Sequence, residues 1–489
     1  MADTQRRTIV EQVEFAQVFG FPKILRAVTM GFQPPRLALG LVMVAALMVA
    51  GRAWDWATEP TIHPAGLTPP AGGLWTDEDA RRARTTYQAA ILAYVDDADQ
   101  PDGDPADWEL EAHEVMTLVS RGYLQKRRAV EEDEVPFTLN EADYFTTMKG
   151  LEANRPRGAF EATVTHATEW FRTLVSTIIL VEPSEFFIAG EALFFEMPKA
   201  LWCDHKPFTI VYALVLIVVL AFGGGALSRM TACEIGLEEK LRAQDGVDFA
   251  MGSWRSLLFS LLLPLLIAAA LAGLLVLGGW LLTLPWIDVL GGILYGLALL
   301  AGFGVAFLVI GYALGFSLLV PAVACENCDA ADAQQRAYHY VLGRPLHLLG
   351  YGFTGLIGLA IGFVVVSFIA SLMLNFTAGL IGVWSDNSAF TTAGGASLFN
   401  LTGDTMALHI SWHSQVAGWF VSFWHTVVVG LVGGYVFANY FSGSTIVYLL
   451  MRRACDGQEI TEIWQPGQVP GTAAPTPVDQ DNAAPLTDG

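Results

Sequence analysis

The sequence predicts an all-α integral membrane protein: a bundle of about six transmembrane helices with cytoplasmic interfacial helices and an α-helical extracytoplasmic insertion between the first two spans. Three observations predict it. Hydrophobic residues make up 53% of the 489-residue chain and charged residues only 15%, well under the roughly 25% of an ordinary soluble domain. The apolar residues come in unbroken runs, and a helical run of about 18 or more residues crosses a hydrocarbon core about 30 Å thick. Lys and Arg are unevenly shared among the connecting segments, which orients the runs.

Residues 1–36 form a cytoplasmic N-terminal segment and 37–53 the first span. So long a leader exceeds the n-region of a cleaved signal peptide, so the span reads as a signal anchor. Residues 54–206 form an extracytoplasmic acidic helical domain. Fourteen Lys and Arg lie in 52–206 against 28 Asp and Glu, and a loop of that length translocates largely regardless of charge. Within it, Thr76 caps a helix whose first turn holds three acidic residues, as the helix dipole favours. A second helix is read in 102–128, Thr138-Leu-Asn-Glu141 makes a capping box for a third, and Phe160, Val164, Phe171, Leu174 and Ile178 mark an amphipathic fourth. The apolar, Glu- and Pro-punctuated stretch 183–202 suits the outer interface better than a crossing.

Residues 207–451 carry spans two to six, near 208–227, 257–282, 290–320, 347–374 and 416–437, with Leu284-Pro285-Trp286 turning between the third and fourth. Cytoplasmic helices are expected near 229–253 and 326–345. The short connections holding Lys and Arg, and the Arg452-Arg453 stop, face the cytoplasm by the positive-inside rule, so both termini lie inside. Residues 452–489 form a cytoplasmic tail, with a Pro-, Gly- and Asp-rich composition after about 465 that predicts disorder. Glycines four apart, at 292/296, 311/315, 358/362 and 430/434, let helix backbones approach closely in a bilayer.

The net charge of −21 excludes nucleic acid, which needs clustered cations to neutralise phosphates. Five scattered cysteines make no disulfide framework. The lipid bilayer is the expected partner, together with other membrane or extracytoplasmic proteins. No cofactor is expected.

Four residues stand as metal or redox candidates. Cys325 and Cys328 have CxxC spacing but no βαβ context and no second pair at zinc-module spacing. His409 and His413, i and i+4, have no third ligand beside them. A polar clasp reads more clearly. Asp332, Arg336, Tyr340 and Arg344 repeat every four residues, and Arg229 on the neighbouring cytoplasmic segment would pair with Glu326 or Asp329. The spans hold no Asp, Glu, Lys or Arg away from their ends, whereas ion-coupled transporters place such groups near the midplane.

Three patches resemble a bacterial multi-pass inner-membrane family to which no activity is assigned. They are the helix exit Gly224, Gly225, Ala226, Arg229; the helix Glu326, Asp329, Asp332, Arg336; and the stop Tyr448, Leu450, Arg452 with Asp456, Glu459 and Glu462 after it. The resemblance covers roughly 205–465 and implies fold and topology, not an activity. Function then reads as a scaffold or accessory subunit of a membrane complex, not an enzyme. A transporter or channel is the alternative, and a metal-dependent membrane enzyme the third reading.

Overall fold

The computed structural model describes residues 21–465 apart from 68–72, 106–107, 109, 132–140, 284–286, 385–389, 391–395 and 398–411. The Thr138–Glu141 box, the Leu284-Pro285-Trp286 turn, His409 and the tail beyond 465 therefore lie outside the described residues, or largely so. Among those described, the structure is helical, and β-pairing is confined to isolated bridges from Ile62 to Leu74 and Arg157. The all-α membrane class is as expected.

In chain order the helices are α1 (Phe21–Gly31), α2 (Pro34–Ala57), α3 (Asp77–Tyr94), α4 (Ala112–Glu131), α5 (Glu141–Ala153), α6 (Ala159–Leu180), α7 (Pro183–Glu191) and α8 (Met197–Asp204). Then follow α9 (Lys206–Gly236), α10 (Ala243–Gly252), α11 (Trp254–Leu281), α12 (Ile287–Glu326), α13 (Ala330–Gly343), α14 (Pro345–Gly382) and α15 (Trp412–Asp456). Six of them, α2, α9, α11, α12, α14 and α15, are long and apolar enough to cross a membrane. Most overrun the hydropathic spans. Hydropathy ends at the first polar residues, but the backbone ladder continues wherever those residues find buried partners. Arg229 is thus inside α9, not on a separate cytoplasmic helix, and α10 alone follows it.

The chain forms two compact units, one of Met1–Met30, Leu220–Gly355 and Tyr440–Gly489, the other of Gly31–Val219 and Leu356–Asn439. In the second, Thr76 and Asp79 close a full capping box at the start of α3. Those bonds from Thr76 also hold the Asp79 carboxyl below its usual pKa. Helices α3, α4 and α5 then meet over an aromatic core in which Tyr123 and Tyr144 stack at 4.4 Å and Tyr94 stands edge-on to both. Their hydroxyls are not wasted: Tyr144 shares a 2.9 Å bond with Ser120, and Tyr87 donates to the Asn154 carbonyl at 3.0 Å.

α6 is capped from afar. Its N-cap, Gly158, has no side chain to accept the first free amides. The Asp55 carboxylate, near the end of α2, accepts from Phe160 N and Glu161 N at 2.9 Å each. A negative charge on a helix N-terminus also suits the dipole. A Cβ on Gly158 would run into that carboxylate, and one on Gly51 into the Phe160 ring. Replacing Asp55 by alanine should therefore cost about 1–2 kcal/mol, read as a lower thermal midpoint of the detergent-solubilised protein. Asp55→Asn should recover part of it.

Next to this joint, Trp54 of α2 meets Phe208 of α9 at 5.7 Å, and Leu201 of α8 packs into the same cluster. The end of α2 and the start of α9 thus lie side by side. α7, a π-helical turn at Ala192–Glu196 and α8 fill the approach to α9, leaving Phe187, Phe194, Phe195 and Trp202 exposed.

His166 of α6 is buried, with Trp170 beside it, and burial pulls its pKa below the ordinary histidine value against the opposing charges of Glu169 and Glu196. The unfolded chain therefore takes up this proton first. Its contribution to stability is complete above about pH 6.5 and is lost as pH falls towards the lowered folded value. A thermal midpoint followed from pH 7.5 downwards should fall in that window, and less steeply in His166→Phe.

In the first unit, α11 and α12 pair with each other while Val276 and Ile293 remain 74% exposed. Such a surface is intolerable in water and ordinary against lipid.

Candidate functional site

At one end of the first unit, the ends of α9, α12 and α15 come together with α10 and α13, and two of the buried arginines, Arg229 and Arg452, lie there; a third, Arg36 of α2, belongs to the other unit. Sequence chemistry sets up each end. α12 stops as Asn327 enters the left-handed region at φ 50°, a conformation asparagine tolerates, and its amide oxygen accepts from Ser253 at 2.8 Å. Asp329 then caps α13 by accepting from Asp332 N at 2.9 Å. α15 ends at Gly457 with φ 72°, the usual glycine exit from a helix.

Glu326, the last residue of α12, is the hub. Its side chain is 12% exposed, pairs with Arg336 of α13 at 2.7 Å and with Arg452 of α15 at 3.7 Å, and accepts from the Tyr448 hydroxyl. Tyr340, on the same face of α13 as Arg336, is buried and donates to Asp456 at 2.5 Å. Burial and the Asp456 bond raise that phenol above its usual range. His339 sits 3.7 Å from the other Asp456 oxygen, at the exposed edge. The tyrosine rings of 340 and 448 lie 5.8 Å apart and complete the layer.

Arg229 does not join this group, contrary to expectation. It donates to the Ala324 carbonyl at 3.0 Å and to the Trp464 carbonyl at 2.8 Å, and lies 4.9 Å and 5.5 Å from the Phe249 and Trp464 ring centres. The reason is positional. As part of α9, Arg229 meets the carbonyls that the end of α12 leaves free, while α13 and α15 supply donors to Glu326. Asp329 is spent as a cap, Asp332 is exposed, and Arg344 falls past the end of α13, on the surface. Of the expected clasp, the structure therefore joins Glu326 and Arg336 directly and places Arg229, Asp329, Asp332 and Arg344 in other roles.

Residues 457–465 were missed as a structural element. Ile460 and Ile463 are buried, Trp464 N donates to the Cys325 carbonyl at 2.9 Å, and Arg452 donates to the Glu459 carbonyl at 2.9 Å. The signal was present: Ile460, Ile463 and Trp464 are apolar residues spaced three and four apart directly after a helix stop.

Cys325 is fully buried, and Cys328 is partly buried, its thiol pushed up to about 12 by burial and by Glu326. Such a thiol is a poor nucleophile at neutral pH. Among the described residues, no three His, Cys, Asp or Glu side chains are grouped as a metal ion would need. His413 is in the first turn of α15, and nothing is described for its pair with His409.

The arrangement fastens helices: its carboxylates and guanidiniums bond to each other, to tyrosines and to main chain. No family model, no curated protein and no solved structure matches this chain.

Proposed function

We propose that this chain is a non-catalytic scaffold or accessory subunit of a bacterial inner-membrane complex, with both termini in the cytoplasm and the 54–206 region outside. The same reading keeps it with the inner-membrane family its three patches resemble. One observation carries it: Arg229, Glu326, Arg336 and Arg452, four charged residues of the polar end, are all engaged by the fold itself. A coupling site would keep such a group facing a solute path. The outer helices α3 to α5, with their own aromatic core and polar exterior, offer a surface for an extracytoplasmic partner.

The test is purification of the tagged full chain in mild detergent followed by mass spectrometry. A protein partner at fixed stoichiometry is the expected result. A chain that purifies alone and moves a solute across proteoliposomes would reject the reading. Protease added to spheroplasts should cut near residue 100, and inside-out vesicles should protect it.

A further inference from the structure

The geometry points to a peptide-binding groove at the polar end of the first unit, whose resident occupant is the chain's own segment 458–465. The segment is held as a bound peptide is held. Trp464 engages through both main-chain groups, its N–H to the Cys325 carbonyl and its C=O to Arg229. The Glu459 carbonyl is taken by Arg452. The side chains that enter are apolar: Ile463 lies against Gly236, where a Cβ would collide with it, Ile460 is buried, and Trp464 faces Phe249 at 6.4 Å.

The segment's polar side chains take no part in this grip. Glu459, Thr461 and Glu462 are exposed, and Glu462 bonds back to Glu459 N within the segment. Main-chain bonds for affinity with a few seated side chains for selection is how grooves read short peptides. The ligand class is a turn-forming peptide with an Ile-x-x-Ile-Trp pattern. Gly457, in the left-handed conformation, joins it to α15 without a Cβ penalty. Tethering keeps the local concentration high, so a second copy or a partner carrying the pattern has to compete with the chain's own segment.

The test uses the full chain in nanodiscs with Trp464→Ala, and a fluorescent peptide of residues 457–465. The weakened chain should take up the peptide saturably, and the unaltered chain about a hundredfold more weakly because its groove is filled. Peptides carrying Ile463→Asp or a scrambled order should fail. A folded Trp464→Ala chain that takes up no peptide, or takes the scrambled one equally well, overturns the inference. Should Trp464→Ala not fold, a protease site inserted after Asp456 and cut in the folded protein decides instead. Release of the cut segment and its replacement by labelled peptide supports a groove. A cut segment that never exchanges, or a protein that unfolds on cutting, shows that 458–465 belongs to the core.

Discussion

Gly434→Leu should abolish the crossing of α2 and α15, while Gly296→Leu should leave the protein unchanged. Both glycines belong to Gly-x-x-x-Gly pairs, and the sequence alone ranks them equally. The structure separates them. A Cβ built on Gly434 would stand 2.6 Å from Leu41 N and 2.8 Å from Gly40 C, and one on Gly40 would overlap the Gly434 carbonyl. Those are backbone atoms on both sides, so no rotamer change relieves the clash and the helices must separate. Separation also pulls Tyr435 from its place against Gly362. Overpacking in a well-packed interior costs about 1–3 kcal/mol, occasionally more, and loss of a backbone-to-backbone crossing belongs at the upper end or beyond. At Gly296 nothing lies within 4 Å of the added carbon, so a leucine there meets lipid. The measurement is the yield and thermal midpoint of the two variants in the same detergent. Equal behaviour would mean that α2 and α15 do not cross at Gly40 and Gly434.

How far such features could be read in advance depends on whether the physics is local. Hydrophobic run length is local, so six spans were legible, as was the Thr76 cap, whose partner Asp79 is three residues away. The cap on α6 was not, because Asp55 reaches it from over a hundred positions earlier. Gly158 itself offers no side-chain cap. In the polar end, the i, i+4 rule placed Arg336 and Tyr340 on one face of α13 correctly. It could not say that Glu326 would be claimed by α15, since Tyr448 and Arg452 lie over 120 residues on. Arg229 was assigned a carboxylate because charges invite pairing. An arginine can also be satisfied by helix-end carbonyls and aromatic faces, and which of these is near is a tertiary fact.

Removing the carboxylate of Glu326 should be the most damaging single change at the polar end. The two cations it serves differ in what they can do without it. Arg336 has a side chain 34% exposed and can turn to solvent, but Arg452 is only 2% exposed and cannot. Glu326→Leu therefore leaves a charge in an apolar surround, still donating to the Glu459 carbonyl but without a counter-ion. Breaking a buried pair in this way costs about 3–5 kcal/mol. It also strands the Tyr448 hydroxyl, which is buried and donates to the same carboxylate. The double variant Glu326→Leu with Arg452→Met removes the stranded charge as well, and replacing both members of a buried pair by apolar groups is often close to neutral. The double should therefore recover most of what the single loses, with the Tyr448 hydroxyl accounting for the remainder. Comparing both with Arg452→Met in a double-mutant cycle of thermal midpoints gives the coupling. A double variant no more stable than Glu326→Leu would show that Glu326 acts through Arg336 or Tyr448 instead.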